Sequence, residues 1–402
     1  MRRLRTLSTR RLVLIGAAVV AVAAGGGIAQ AQLSGGAPEP QPKALDQAVY
    51  DALRAPDVHG VTARVKFTNN LIPAGSLPNG SASPLLTGAD GRLWLTEDGR
   101  FRIELQSDSG DAQIVSDGKT VQAYDADSNV VYRAALPEPK AEDRAKAQRE
   151  ERRGPPSLAD IRRGLEDLAE RWSLSGADPT STGGRPSYTV RISPKDDGGL
   201  LGAAELAWDA ERGAPLRAAV YADDQQDPVL ELEATDIAYE QVPASDVTAR
   251  FPENAEVVEV APPARGAEAG RDKPHAKVEG VDEVQRRLDF ELAAPGELAG
   301  LPRQEVRLVE ARKGQSAVVT YGEGLGAIVV LQGKAGPDDA RGGPGDRADQ
   351  LQLPKVNVDG ATGTELATSL GTVVTFERDG VSYTVVGSVP PQAAEQAARD
   401  LG

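Results

Sequence analysis

Few residues of this chain have the types and spacing that chemistry requires. Asp125-x-Asp127-x-Asn129 opens as a calcium-binding loop opens, with oxygen ligands at alternate positions. Val130 then stands at the sixth position, where the sharp turn needs Gly, and Leu136 at the twelfth, where a bidentate Glu is needed. A turn between two strands is expected there instead. Gly322-x-Gly324-x-Gly326 is rich enough in Gly to approach a phosphate, but its spacing is not that of a nucleotide fingerprint. The apolar run that follows, Ala327 to Leu331, reads as a strand and not as a helix whose N-terminus would receive the anion. Asp338, Asp339, Asp346 and Asp349 sit in a Gly/Asp-rich loop and read as a solvated segment. No Ser lies in a G-x-S-x-G elbow, and the many carboxylates show no pairing pattern. Cys is absent, and His59 and His275 are the two His of the chain. Disulfides and thiolate metal sites are thereby excluded, and a His-based metal centre or catalytic triad is disfavoured. The chain reads as a non-enzyme without metal or cofactor.

What the sequence does specify is sheet. From Gly91 to Arg133, five short runs alternate apolar and polar residues. Their breaks are Glu97-Asp98-Gly99, Asp108-Ser109-Gly110, Ser116-Asp117-Gly118 and Asp125 to Asn129. Period-two alternation marks half-buried strands, and Asp-Gly or Asn-rich breaks mark tight reversals. An antiparallel meander with one apolar face is expected. It is preceded by a helix, Leu45 to Arg54, and a strand, Val58 to Thr68, with Val61, Ala63, Val65 and Phe67 on one face. Between them and the meander lies a Pro/Gly/Ser loop, in which Asn79-Gly80-Ser81 reads as a turn and not as a glycosylation site. After the charged stretch Lys140 to Arg153, Ser157 to Trp172 reads as a second helix with an N-cap at Ser157 and Asp160. A second series of alternating strands follows, from Tyr188 to Ala234. Residues 261–280 form a polar Pro/Gly/Ala segment, where a boundary belongs. Beyond it come further strands, an Arg378-Asp379-Gly380 hairpin turn and a final helix from Pro391 with Ala394, Ala397, Ala398 and Leu401 inward.

The chain of 402 residues begins with Arg2, Arg3, Arg5, Arg10 and Arg11, an apolar stretch from Leu12 to Ala24 and an Ala29-Gln30-Ala31 cleavage signal. This reads as a secretory signal peptide over 1–31. An uncleaved anchor is the alternative, since Leu12 to Ile28 is 17 residues, near the lower limit of ~17–25 for a spanning helix. Residues 32–42 are a linker. Without the five leader Arg, 40 basic residues face 60 acidic ones. Such an acidic balance repels nucleic acid, which is not expected as a partner.

About ten alternating strands make a large curved sheet with one apolar face, which can close on a filled core or leave a cavity for an acyl chain. The inward parity of the strands selects Val65, Phe67, Phe101, Ile103, Leu105, Val190, Ile192, Leu206, Trp208, Val220 and Leu232 as candidate ligand-facing residues.

FRIELQSDSGDAQIVSDGKTVQAYDADSNVVYRA, with its Asp117-Gly118-Lys119 to Tyr124-Asp125 hairpin, resembles the outer-membrane lipoprotein carrier (LolA-like) superfamily. So do Tyr188 to Lys195, Leu206 to Asp209, Pro215-Leu216-Arg217 and Phe251-Pro252. The resemblance covers residues 43–260. It implies a mainly β (α+β) fold: an incomplete antiparallel β-barrel, its helices on the concave face, with a hydrophobic cavity for the acyl chains of lipid or lipoprotein. The segment GTVVTFERDGVSYTVVGSVP is similar to small domains of RseB-type sigma-factor regulatory proteins. It implies a small α+β domain over 275–402, after a linker at 261–274. With that domain comes a second possibility, a sensor that binds a membrane-bound partner such as an anti-sigma factor. Either way an extracytoplasmic location is implied.

Overall fold

The structure, a computed structural model, describes residues 39–72, 83–108, 110–136, 156–195, 199–260, 278–311, 314–335 and 353–401. The leader, most of the 32–42 linker, Asn79, the charged stretch 140–153, the 261–274 linker, His275 and the four loop Asp lie outside the described residues.

Two sheets carry the molecule, and it is mainly β. In the first, β1 (Gly60–Asn69) is followed by a meander of β2 (Ala89–Thr96), β3 (Phe101–Ser107), β4 (Gly110–Ser116), β5 (Thr120–Asp125) and β6 (Val130–Ala135). The turns form as their residues dictate. Asp117 accepts the backbone N–H groups of Lys119 and Thr120, and Asp125 accepts that of Asp127 while Asn129 takes φ 52°. Next come β7 (Trp172–Leu174), β8 (Asp178–Thr182), β9 (Arg185–Pro194), β10 (Leu201–Asp209), β11 (Pro215–Ala222), β12 (Leu230–Ala238) and β13 (Glu256–Val260). The strand order is β13-β6-β5-β4-β3-β2-β1-β12-β11-β10-β9-β7, with β8 on β9. The β1–β12 pairing joins the two meanders, and every pairing is antiparallel except β13 on β6. The sheet curves into a half-barrel.

Helix α1 (Leu45–Ala52) lies on one end of this sheet, where its Ala48 packs with Tyr188, Val190 and Trp208. Gly213, in the β10–β11 turn, has φ 64°, and a Cβ there would overlap the Ala52 carbonyl at the end of α1. The pairing of turn and helix therefore depends on Gly at this point. Gly213→Ala is expected to lower the stability of the fold by about 1–3 kcal/mol, read from a urea unfolding curve.

α2 (Pro84–Thr87) is a single turn. α3 (Leu158–Ala169) begins at a complete capping box of Ser157 and Asp160 and packs on α1 and β7. It ends three residues short of Trp172, which the sequence pattern had placed within it. Trp172 instead pairs with Pro194 as the start of β7. The helical period continues to Trp172 from Leu165 and Leu168, but the backbone donors there find partners on β9.

The second sheet is wholly antiparallel: β14 (Glu297–Leu298), β15 (Leu301–Ala311), β16 (Gly314–Tyr321), β17 (Ile328–Lys334), β18 (Lys355–Val358), β19 (Ala361–Thr368), β20 (Gly371–Arg378) and β21 (Val381–Gly387). Gly322 and Gly324, both at positive φ, form the β16–β17 hairpin, and Asp379-Gly380 the β20–β21 hairpin, the latter as the sequence implied. α4 (Val281–Gln285) and α5 (Pro391–Arg399) cover one face. Ala394, Ala397, Ala398 and Leu401 are buried there against Val330, Val374 and Val385.

The sheets touch at two turns. Ser369, between β19 and β20, donates through its N–H to Leu71 O (2.7 Å) and through Oγ to Asn70 O (3.0 Å). Its neighbour Leu370 packs against the apolar cluster of the first sheet. Ser388, after β21, accepts the N–H of Leu200 at its carbonyl (3.2 Å) and at Oγ (3.0 Å). Among the described residues, no helix is long and apolar enough to cross a membrane.

Candidate functional site, the apolar face of the large sheet

The register places every candidate residue on one face. Val190, Leu206, Ala218, Leu232, Phe67 and Ala89 are successive cross-strand partners, an apolar row running from β9 to β2. Beside it run Ile192, Ala204, Val220 and Leu230 on one side. On the other side, Val65 is opposite Gly91, and Gly91 opposite Leu105. Leu93, Ile103, Ile114 and Ala123 continue the face across the first meander. Trp208 and Phe101 share this parity. Side chains two apart on a strand share a face, so one correct assignment of parity places them all.

Packing divides that face into two clusters. Val65, Phe67, Ile103 and Leu105 are buried in one, with Phe101, Val220 and Leu232 partly buried against it. Val190 and Trp208 are buried in the other, beneath α1, with Ile192 beside them. Leu206 is in neither and is 37% exposed. It stands in the apolar row between Val190, which α1 covers, and the part packed into the larger cluster. The sequence pointed to the parity of these residues. It held no sign of which would be covered, because coverage depends on where a helix distant along the chain comes to rest.

The opposite face is charged, and its Arg217–Glu205 cluster is internally paired. Arg217 donates to Glu205 (2.7 Å), Glu231 (2.6 Å) and the Tyr221 hydroxyl (2.8 Å), and Arg191 donates to Glu205 (2.8 Å). Burial alone would raise the Glu205 carboxyl, but the bonds from Arg217, Arg191 and Tyr221 prevail and hold it below its ordinary value. These charges are spent on one another.

Asp209, at the end of β10, is fully buried. It accepts from Tyr239 Oη (2.7 Å), Arg185 Nε (2.9 Å) and the N–H groups of Glu211 (2.8 Å) and Arg212 (2.9 Å). Burial opposes its ionisation, yet these donors together hold the carboxyl below its ordinary value. This group fastens β9, the β10–β11 turn and β12 together. Sequence reasoning missed it, because Arg185 and Tyr239 lie far along the chain from Asp209 and nothing local marks the pairing.

Nearby, Asp57, His59, Glu97, Arg212 and Tyr239 line an open polar cleft of about 390 Å³. The His59 ring is 69% exposed, 3.5 Å from a Glu97 carboxylate oxygen. The Tyr239 hydroxyl is already donated to Asp209, and burial together with that bond raises its pKa. A double variant, His59→Gln with His275→Gln, is expected to bind acyl ligands within a few-fold of wild type, measured by fluorescence titration. His59 stands in this polar cleft and not among the residues of the apolar face.

Residues 78–149 match a family model described as "Predicted periplasmic protein (DUF2092)". No curated protein matches the chain. Among solved structures, the Pseudomonas aeruginosa MucA/MucB complex is similar at 17% identity, over 88% of this chain and 95% of that one, with a TM-score of 0.39. A putative outer membrane lipoprotein-sorting protein domain from Vibrio parahaemolyticus is similar at 12% identity, over 51% of this chain and 95% of that one, with a TM-score of 0.23. A LolA superfamily protein from Nitrosomonas europaea is similar at 9% identity, over 52% of this chain and 98% of that one, with a TM-score of 0.21. Both groups that the sequence resembles are thus represented among these structures.

Proposed function

We propose that this is an exported, non-enzymatic protein of the cell envelope that binds acyl chains of lipid or lipoprotein on the apolar face of its large sheet. The observation that carries this reading is the apolar row from Val190 to Phe67 with Leu206 open within it. A solitary exposed Leu on a protein surface is ordinary. Here it lies on the face of the curved sheet that carries α1, with apolar cross-strand partners, Val190 and Ala218, on both sides. An acyl chain laid across the row removes that surface from water at roughly 25 cal/mol per Å². The N-terminal signal and the matched periplasmic family model support the address. In this reading residues 43–260 hold the ligand and residues 275–402 form a second unit. The test is native mass spectrometry of the mature protein purified from envelopes, with titration of a fluorescent fatty acid. Co-purifying lipid or saturable binding is expected. Absence of both contradicts the reading and favours a filled core.

A second reading is that of a regulator whose smaller sheet holds a membrane-bound protein partner. It is favoured by Leu331 and Val386, which are 42% and 43% exposed on the sheet face opposite α4 and α5. A carrier has no need of that face. Retention of an envelope partner by the whole protein, lost on Leu331→Asp with Val386→Asp, supports it, and unchanged retention contradicts it.

A further inference from the structure

Five buried side-chain polar atoms lack a hydrogen-bond partner among the described residues, and four of them belong to the second sheet. The fifth is the indole Nε1 of Trp208, a residue 6% exposed on the apolar face of the first sheet. A buried donor without an acceptor is destabilising, and proteins rarely keep one without a use. The surroundings make it conspicuous. The neighbouring Tyr188, its ring 6.1 Å away, donates its hydroxyl to Gln41 O at 2.6 Å. Two aromatic side chains thus stand side by side under α1, one satisfied by the chain and the other not. Two residues along the same strand and face is Leu206, the open member of the apolar row.

Resting on the acyl-binding reading above, we propose that the Trp208 indole N–H is the polar anchor of the site. It donates to a carbonyl-type oxygen at the head of an acyl chain that displaces the edge of α1 covering the indole, either the carboxylate of a free fatty acid or the carbonyl of an ester. The tail runs from there over Leu206 and Leu232 towards Phe67. From β10 to β1 is three strand spacings, about 14 Å, the span of an extended chain of about twelve carbons. Lys43 Nζ lies 5.9 Å from the centre of the Tyr188 ring at the same end, paired with Asp51. A donor in a dry apolar setting gives orientation and selects oxygen-bearing ligands over plain hydrocarbon.

The test compares wild type with Trp208→Phe, which keeps an aromatic ring and removes the donor. Three probes are titrated: laurate, methyl laurate and N-phenyl-1-naphthylamine, which has no carbonyl. The Phe variant is expected to bind laurate, methyl laurate or both about tenfold more weakly, and the naphthylamine within twofold of wild type. Loss for laurate alone assigns the carboxylate, and loss for the ester alone assigns the ester carbonyl. In wild type, the indole proton of Trp208 is expected to shift downfield in the nitrogen–proton correlation spectrum on adding the anchored ligand. Its peak is assigned by elimination with Trp94→Phe and Trp172→Phe, so this readout stands even where the Trp208 variant does not fold. Equal weakening of all three probes, or of none, or an unmoved indole proton while laurate and methyl laurate bind, overturns the anchor while leaving acyl binding in place. Failure of wild type to bind any probe overturns the acyl-binding reading itself.

Discussion

Leu206→Asp is expected to abolish acyl-chain binding and leave the fold intact. Leu206 is 37% exposed, so a carboxylate at that position stays hydrated in the free protein. A surface substitution of this kind costs the fold less than about 1 kcal/mol. Binding an acyl chain across the row would strip water from the carboxylate with no cation to compensate, at a cost of several kcal/mol. That is a loss of at least about a hundredfold in affinity. Phe101→Asp is a contrasting variant. Phe101 is partly buried against the larger apolar cluster, so its replacement is expected to damage folding as well as binding. Thermal melts and fatty-acid titration on both proteins separate the two effects. Unchanged binding by a folded Leu206→Asp protein would place the ligand elsewhere.

Asp209→Ala is expected to destabilise the large sheet by about 3 kcal/mol at neutral pH. The carboxylate is fully buried, and its removal leaves Arg185 Nε and the Tyr239 hydroxyl facing each other's vacated acceptor. The sign of the pH dependence follows from the depressed carboxyl. Asp209 titrates in the folded protein below its ordinary 3.8, so it contributes stability above that value and loses it as pH falls through the lower folded value. Wild type and variant should therefore differ fully from about pH 5 upward and converge in stronger acid. Urea unfolding at a series of pH values measures the gap. A gap that is constant with pH would mean that shape at Asp209, and not its charge, holds the turn.

Alternation carried most of the large sheet in the sequence. Val61, Ala63, Val65 and Phe67, or Leu230, Leu232 and Ala234, announce a face by period two alone, and the Asp-Gly breaks announce where each strand ends. The short and unusual strands did not announce themselves. β7 and β8 span Trp172–Leu174 and Asp178–Thr182, too brief for a period to show. β13 is Glu-Val-Val-Glu-Val, whose strand character is plain but whose parallel pairing with β6 is fixed by distant chain geometry. β18 is a four-residue edge, Lys355–Val358. The candidate residues share one face of the sheet. What local sequence does not encode is the division of that face into covered and open parts, since α1 covers Val190 and Trp208 but stops short of Leu206. The unpartnered indole of Trp208 is of the same kind: it becomes visible when Tyr188 is seen to take the carbonyl of Gln41.

The most direct test of acyl binding on this face is photo-crosslinking with a fatty acid that carries a diazirine midway along its chain, mapped by mass spectrometry of the mature protein. Saturable adducts are expected on β10 to β12, at and around Leu206, Val220 and Leu232, and competition by laurate should remove them. Adducts confined to the outer face of the second sheet, or labelling that never saturates, would contradict the account.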